Sequence, residues 1–252
     1  MKDSKTLLIL GPGESSRRFK VDDLDKVTTI SFSGNIDWLA ENNVYSDYWT
    51  FFDPHSTLFI FDKISNGTFK KEWADGLKSR TKLLYNKFIG TDEFYQNGYT
   101  TSKGPEWNRE VFGKQLLPEL SNNIFAGSEI VDQQVNIDNY GSYYQDSTKS
   151  PLVVHSTFDP QGRKLNTDKF VSVILPNIIA HFKEVEQIYS VGFGDFDAPR
   201  VNTGKSLGYA SYLISYNILK YQIKSILQER NIKIDFINKD SHYKELTWKK
   251  SQ

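Results

Sequence analysis

The sequence predicts an α/β fold in which a mostly parallel sheet is flanked by helices. Three observations predict it. Short apolar or β-branched runs recur along the chain, as in strands buried on both faces. Stretches with helical spacing alternate with them, the grammar of strand, crossover and strand. The runs stop at Gly, Asn and Asp, residues that build turns.

Thr6–Leu10 (TLLIL) is the first run, and it stops at Gly11-Pro12-Gly13. Val27–Phe32 (VTTISF) is the second, stopped by Ser33-Gly34-Asn35. IDWLAENN then predicts a short helix before a third run, Tyr48–Phe52 (YWTFF), which meets Asp53-Pro54-His55. Residues 66–149 read differently, being rich in Gly, Asn, Tyr and Ser. Thr81–Leu84 and Lys87–Ile89 predict one further strand there. Thr91–Gly113 is aromatic and polar without a clear period, so residues 90–149 are expected to hold an inserted aromatic loop or lid beside the strand ends.

The later part repeats the early grammar. Ser150–Thr157 (SPLVVHST) holds a strand candidate. In Thr167–Phe182 the residues Phe170, Ile174, Ile178 and Phe182 stand four apart, and Pro176 predicts a kink or a later helix start. Gln187–Phe193 is a strand candidate that runs into Gly194-Asp195-Phe196-Asp197. Leu207–Gln228 is the longest helix candidate, Asn231 a C-cap and Ile232–Ile237 the last strand. A polar tail with His242 and Trp248 follows. The whole predicts a single Rossmann-like domain over residues 1–252, without internal repeats.

Composition narrows the function. The 252 residues carry 31 Lys plus Arg and 31 Asp plus Glu, so the formal charge is zero. A dedicated nucleic-acid binder carries a basic excess to replace counterions, so no nucleic-acid partner is expected. Apolar residues are only 38%, yet 17 Phe, 14 Tyr and 5 Trp can build a core. With no Cys, thiolate nucleophiles, iron–sulfur clusters and Cys-type zinc sites are excluded. Four His (His55, His155, His181, His242) leave little for an all-His metal site. No run approaches the roughly 18 apolar residues of a membrane span, which leaves room only for peripheral membrane contact. MKDSKTLLILGPGES is too poor in apolar residues for a signal-peptide core. A cytoplasmic enzyme or binding protein is expected.

Ligands of open parallel sheets bind outside the carboxyl ends of the strands. The candidate ligand residues are therefore Gly11, Gly13 and Ser15 after the first run, Asn35 after the second, Asp53 after the third and Gly192 near the end of the later one. Small residues admit a ligand to the backbone, and helix N-termini there receive phosphate. The first loop is neither G-x-G-x-x-G, since Ser16 stands near the third glycine position, nor a Walker A loop; an ordinary strand-to-helix turn reads equally well. Asp53 suits a ribose hydroxyl or a base edge, or equally a helix N-cap. Asp195 and Asp197 have the D-x-D spacing that would hold Mg²⁺ on a diphosphate; an acidic turn is the commoner use. His155 and His242 are acid–base candidates by their unperturbed pKa of about 6.5. His181, late in a helix, reads as structural. No hydrolase triad is visible around Ser15 or Ser172.

The order of these loops resembles the single-domain bacterial sialyltransferases that use CMP-activated donors, and the wider group that includes motility-accessory-factor glycosyltransferases and a pterin pyrophosphokinase. The shared features are Gly11-Pro12-Gly13-Glu14-Ser15, Gly34-Asn35, WTFF-Asp53-Pro54, the turn at Val171-Ser172-Val173, IYSVGFGD and the closing NIKIDFINKDS. They cover about residues 5–62 and 165–243. The resemblance implies a nucleotide-sugar site lined by Gly11, Gly13, Asn35, Asp53 and Ser172, a metal-independent reaction and a His base. Three positions depart from it. Pro12 replaces an Asn, Val173 replaces a Gly, and the loop from Gly194 to Ser206 has no His or Tyr. His155, His242, Asp195 and Asp197 remain as base candidates. The expectation is a glycosyltransferase that moves a sugar from a CMP-linked donor to a carbohydrate hydroxyl in surface-glycan synthesis, with no cofactor beyond the donor. A Mg²⁺-dependent pyrophosphokinase, or an inactive nucleotide- or partner-binding protein, are the alternatives.

Overall fold

The computed structural model describes residues 3–18, 25–51, 54–87, 104–131, 156–158, 164–166, 170–193, 209–238 and 241–247. Seven strands form one sheet: β1 (Asp3–Leu10), β2 (Val27–Phe32), β3 (Tyr48–Thr50), β4 (Lys82–Asn86), β5 (Ser128–Val131), β8 (Gln187–Val191) and β9 (Lys233–Phe236). Their order is β5-β4-β3-β2-β1-β8-β9 and every neighbouring pair is parallel. Between them in sequence, β6 (Ser156–Phe158) and β7 (Lys164–Asn166) form a separate antiparallel pair. This is the α/β, Rossmann-like architecture that the alternating runs predict. The chain winds outward from β1 through β5, then restarts on the other side of β1 with β8 and β9. β1 is therefore the strand at which the winding reverses.

The helices are α1 (Ile36–Glu41), α2 (Pro54–Ser65), α3 (Lys71–Arg80), α4 (residues 104–124), α5 (residues 170–181) and α6 (Tyr209–Glu229). β1 shows why its apolar run is unbroken. Leu7 and Ile9 pack with Ile188, Ile234 and the α5 and α6 residues Ile178, Ile223 and Leu227. Leu8 and Leu10 face the opposite way, with Trp49, Leu83 and the α1–α4 residues Leu39, Trp73 and Phe112. Each fully buried side chain of this kind contributes about 1.5–3 kcal/mol, so a strand with two buried faces anchors both layers.

Residues 104–131, expected within an insertion or lid, are instead part of these layers. α4 packs Phe112, Leu117, Leu120 and Ile124 into the core, and β5 adds an edge strand beside β4. The absent period has a physical cause. Asn108–Leu116 and Leu120–Ile124 are π-helical, so the buried residues Asn108, Phe112 and Leu117 stand four and then five apart. α3 is hidden by its glycine in the same way. A Cβ on Gly76 would lie 2.2 Å from the Tyr45 hydroxyl, so this glycine marks close packing and not a loop. Pro176 sits in the first turn of the α-helical part of α5, Leu175–His181, after a π-helical start at Phe170–Ile174. Of the expected strand Ser150–Thr157, only Ser156 and Thr157 lie among the described residues, in the β6–β7 pair and outside the main sheet. Among the described residues no helix is long and apolar enough to cross a membrane.

A polar network ties the β5 edge at the amino ends of the strands. Glu129 of β5 accepts hydrogen bonds from Lys82 at 2.5 Å and from the Tyr48 hydroxyl at 3.2 Å, and its Oε2 lies 2.8 Å from His181 Nε2. Burial pushes the Glu129 carboxyl up, but the bonds from Lys82 and His181 outweigh it and hold the group below the usual range. Burial, followed by the Glu129 charge, pushes Tyr48 up to about 12. Ionising Tyr48 therefore costs more in the folded chain than in the unfolded one. Its contribution is complete below pH of about 10 and is lost as pH rises through about 12. The Glu129 contribution has the opposite sign and is lost as the medium is acidified. Urea unfolding at about pH 9 and about pH 11.5 should show a smaller alkaline loss of stability in Tyr48→Phe than in the parent chain. An equal loss in both removes Tyr48 from the alkaline limb.

Candidate functional site

The carboxyl ends of β3, β2, β1 and β8 lie side by side, because those strands are neighbours in the sheet. The loops after β1 and β8 are bonded to each other. Gly11 N donates to Val191 O at 2.8 Å, and Gly13 N donates to Gly192 O at 2.9 Å. Gly192 N donates to the Ser15 hydroxyl at 3.0 Å, while the Ser16 hydroxyl donates to Gly11 O at 2.7 Å. The approach is close enough to require both glycines. A Cβ on Gly11 would stand 2.5 Å from Gly192 O and from the Phe193 ring. Gly192 has φ +78°, in the left-handed region, and a Cβ there would stand 1.9 Å from Ser16 Oγ. Gly11, Gly13, Ser15 and Gly192 thus meet at one place, as expected of strand-end residues, and their polar groups are largely spent on one another.

On the α5–α6 side an aromatic cluster fills the space under these ends. Phe193 lies 4.5 Å from Phe170 and 6.0 Å from Phe32 between ring centroids, and Phe170 lies 4.8 Å from Tyr243. The crevice between β1 and β8, where the winding reverses, is therefore closed by backbone bonds and Phe193.

Asn35 closes the turn Ser33–Asn35 after β2 and precedes α1, with helical backbone angles and a side chain that does not cap the helix. The residue is fully buried, and among the described residues neither its amide nitrogen nor its amide oxygen has a hydrogen-bond partner. A side-chain amide offers two N–H donors and two lone pairs, and each buried polar group left unsatisfied costs about 1–3 kcal/mol. α2 packs against the same turn, and its amino terminus opens at this end of the sheet, just past β3. The partial positive charge of a helix N-terminus favours an anion.

Asp53, His155, Asp195 and Asp197 lie outside the described residues. Ser172 lies in the π-helical first turn of α5, and His242 opens a 3₁₀ turn, His242–Leu246, that folds back onto α6 and β9. Residues 241–247 therefore lie at this end of the sheet. His181, in contrast, sits in the amino-end network with Glu129 and takes the structural place expected of it. Among the described residues no group of three His, Asp or Glu side chains is placed to hold a metal ion.

Several residues of this end escaped the sequence reading. Asn238 and Ser241 both bond the Phe193 carbonyl. Asn86, the last residue of β4, donates to the Asn177 side chain at 3.2 Å, and both are buried. The signal for Asn177 was an Asn inside the apolar stretch LPNIIA, where an unpaired amide would be costly. No protein-family model matches the chain, and no curated protein and no solved structure matches it.

The glycine contact gives a sharp test. Gly192→Ala combines left-handed strain with overpacking and should lose about 2–4 kcal/mol in urea unfolding. A loss no larger than that of an ordinary surface substitution would mean the two loops do not meet this closely.

Proposed function

We propose that this chain is a glycosyltransferase that uses a nucleotide-sugar, with a CMP-linked donor, and transfers the sugar to a carbohydrate hydroxyl in surface-glycan synthesis. One observation carries the reading: the buried Asn35 amide just past β2, without a hydrogen-bond partner among the described residues, at the end of the sheet where α2 begins. A folded chain keeps such an amide at a cost when something else pairs with it. A pyrimidine edge or a ribose hydroxyl offers the complementary donors and acceptors. The neighbouring helix terminus suits the donor phosphate. The order of the strand-end loops, similar to that of CMP-dependent sialyltransferases, selects the nucleotide class.

In this mechanism the donor lies across the ends of β2 and β3. A base, His155, His242 or Asp195, takes the proton of the acceptor hydroxyl. The oxygen forms a bond to the anomeric carbon as the bond from that carbon to the donor phosphate breaks. CMP departs, and its phosphate charge is met by backbone N–H groups. The reading needs no metal. Its pyrophosphokinase rival needs Mg²⁺, and the non-enzyme rival needs no nucleotide.

Thermal and urea unfolding with CMP, CDP, UDP, GDP and ATP, each with and without Mg²⁺, separates the three. CMP at 100 times its dissociation constant should stabilise the chain by about 2.7 kcal/mol without metal. Stabilisation only by ATP with Mg²⁺, or by no nucleotide, overturns the proposal. Asn35→Leu removes the orphaned amide at nearly constant volume. It should raise the stability of the free chain by about 1–2 kcal/mol while abolishing the CMP effect.

A further inference from the structure

We propose that residues 241–246 are a strap that, together with Asn238 just past β9, positions the first strand-end loop, with Ser241 and Asn238 as the positioning residues. The strap has an apolar anchor. Tyr243 and Leu246 are buried in the α5–α6 core, and the Tyr243 ring lies 5.0 Å from Tyr216 and 5.7 Å from Phe236. Glu245 adds an outer tie to Lys220 at 2.5 Å. That anchor holds the segment to the body of the protein.

The polar part of the strap does something different. The Ser241 hydroxyl donates to Phe193 O at 3.0 Å, and the Asn238 amide donates to the same oxygen at 2.9 Å. A carbonyl has two lone pairs, and here one is filled by Asn238 and the other by Ser241. Because the peptide is planar, fixing this carbonyl fixes the chain direction just past β8. The ring of the same residue packs on Gly11 so closely that no Cβ fits between them. The preceding residue, Gly192, accepts from Gly13. The path thus runs from the strap through Phe193 and Gly192 to the loop of Gly11 and Gly13.

This inference concerns the loop geometry, and it stands whatever ligand the site takes; failure of CMP to bind leaves its test untouched. The test is amide hydrogen exchange on the ligand-free full chain. In Ser241→Ala combined with Asn238→Ala, the Gly13 and Gly192 amides should exchange about tenfold faster, while those of Trp49 and Leu83 keep their parent rates. Ser241→Thr retains the hydroxyl and should exchange as the parent does. Each single alanine variant should show a smaller change at the same two amides, so the test survives if the double variant does not fold. Acceleration spread evenly over the sheet, or unaltered exchange at Gly13 and Gly192, overturns the strap.

Discussion

The contact between the β1 and β8 loops is the constraint on which the rest of this structure depends. Parallel pairing brings Leu10 beside Val191, and the segments after the two strands then continue as one bonded unit, Gly11 to Val191 and Gly13 to Gly192. Without glycine at both positions the approach is sterically closed. With it, two halves of the sheet that wind in opposite directions are joined at their carboxyl ends. Helix layers on both faces then follow from burying the alternating leucines of β1.

That same closeness decides where a ligand can lie. The crevice between β1 and β8 is the usual ligand position in sheets of this topology. Here Phe193 and the loop bonds occupy it. The polar groups of Ser15 and Ser16 are engaged in holding the loops together. Among the described residues the buried Asn35 amide, one strand further on, pairs neither its nitrogen nor its oxygen, and it is the residue around which the nucleotide reading is built. In that reading the amide costs the free chain stability that a bound nucleotide would recover.

The two ends of the sheet are built on different principles. At the amino ends, Glu129 is saturated by Lys82, His181 and Tyr48, and the network pins an edge strand. At the carboxyl ends, glycines, an orphaned amide and a docked tail leave backbone and side-chain groups arranged around strand termini. Charge is paired at one end, whereas at the other the loops bond each other and, among the described residues, the Asn35 amide has no partner.

Much of this was legible in the residues themselves. Val27–Phe32 is β2 with the bounds its β-branched run predicts, and Asn231 has the left-handed backbone, φ 55°, of a helix C-cap. Strand identity and the parallel class follow from local pattern, since a run buried on both faces must be apolar at every position. α3, α4 and β5 were obscured, because Gly76 mimics a loop signal and π-helical spacing erases the period of an ordinary helix. Only the tertiary structure decided the strand order, the closure of the β1–β8 crevice by Phe193, the isolation of the Asn35 amide and the docking of the tail on the Phe193 carbonyl. The reason is that periodicity reports which face a residue buries, whereas the partner it meets, such as Gly192 for Ser15 at a separation of 177 residues, is chosen by packing of the whole chain.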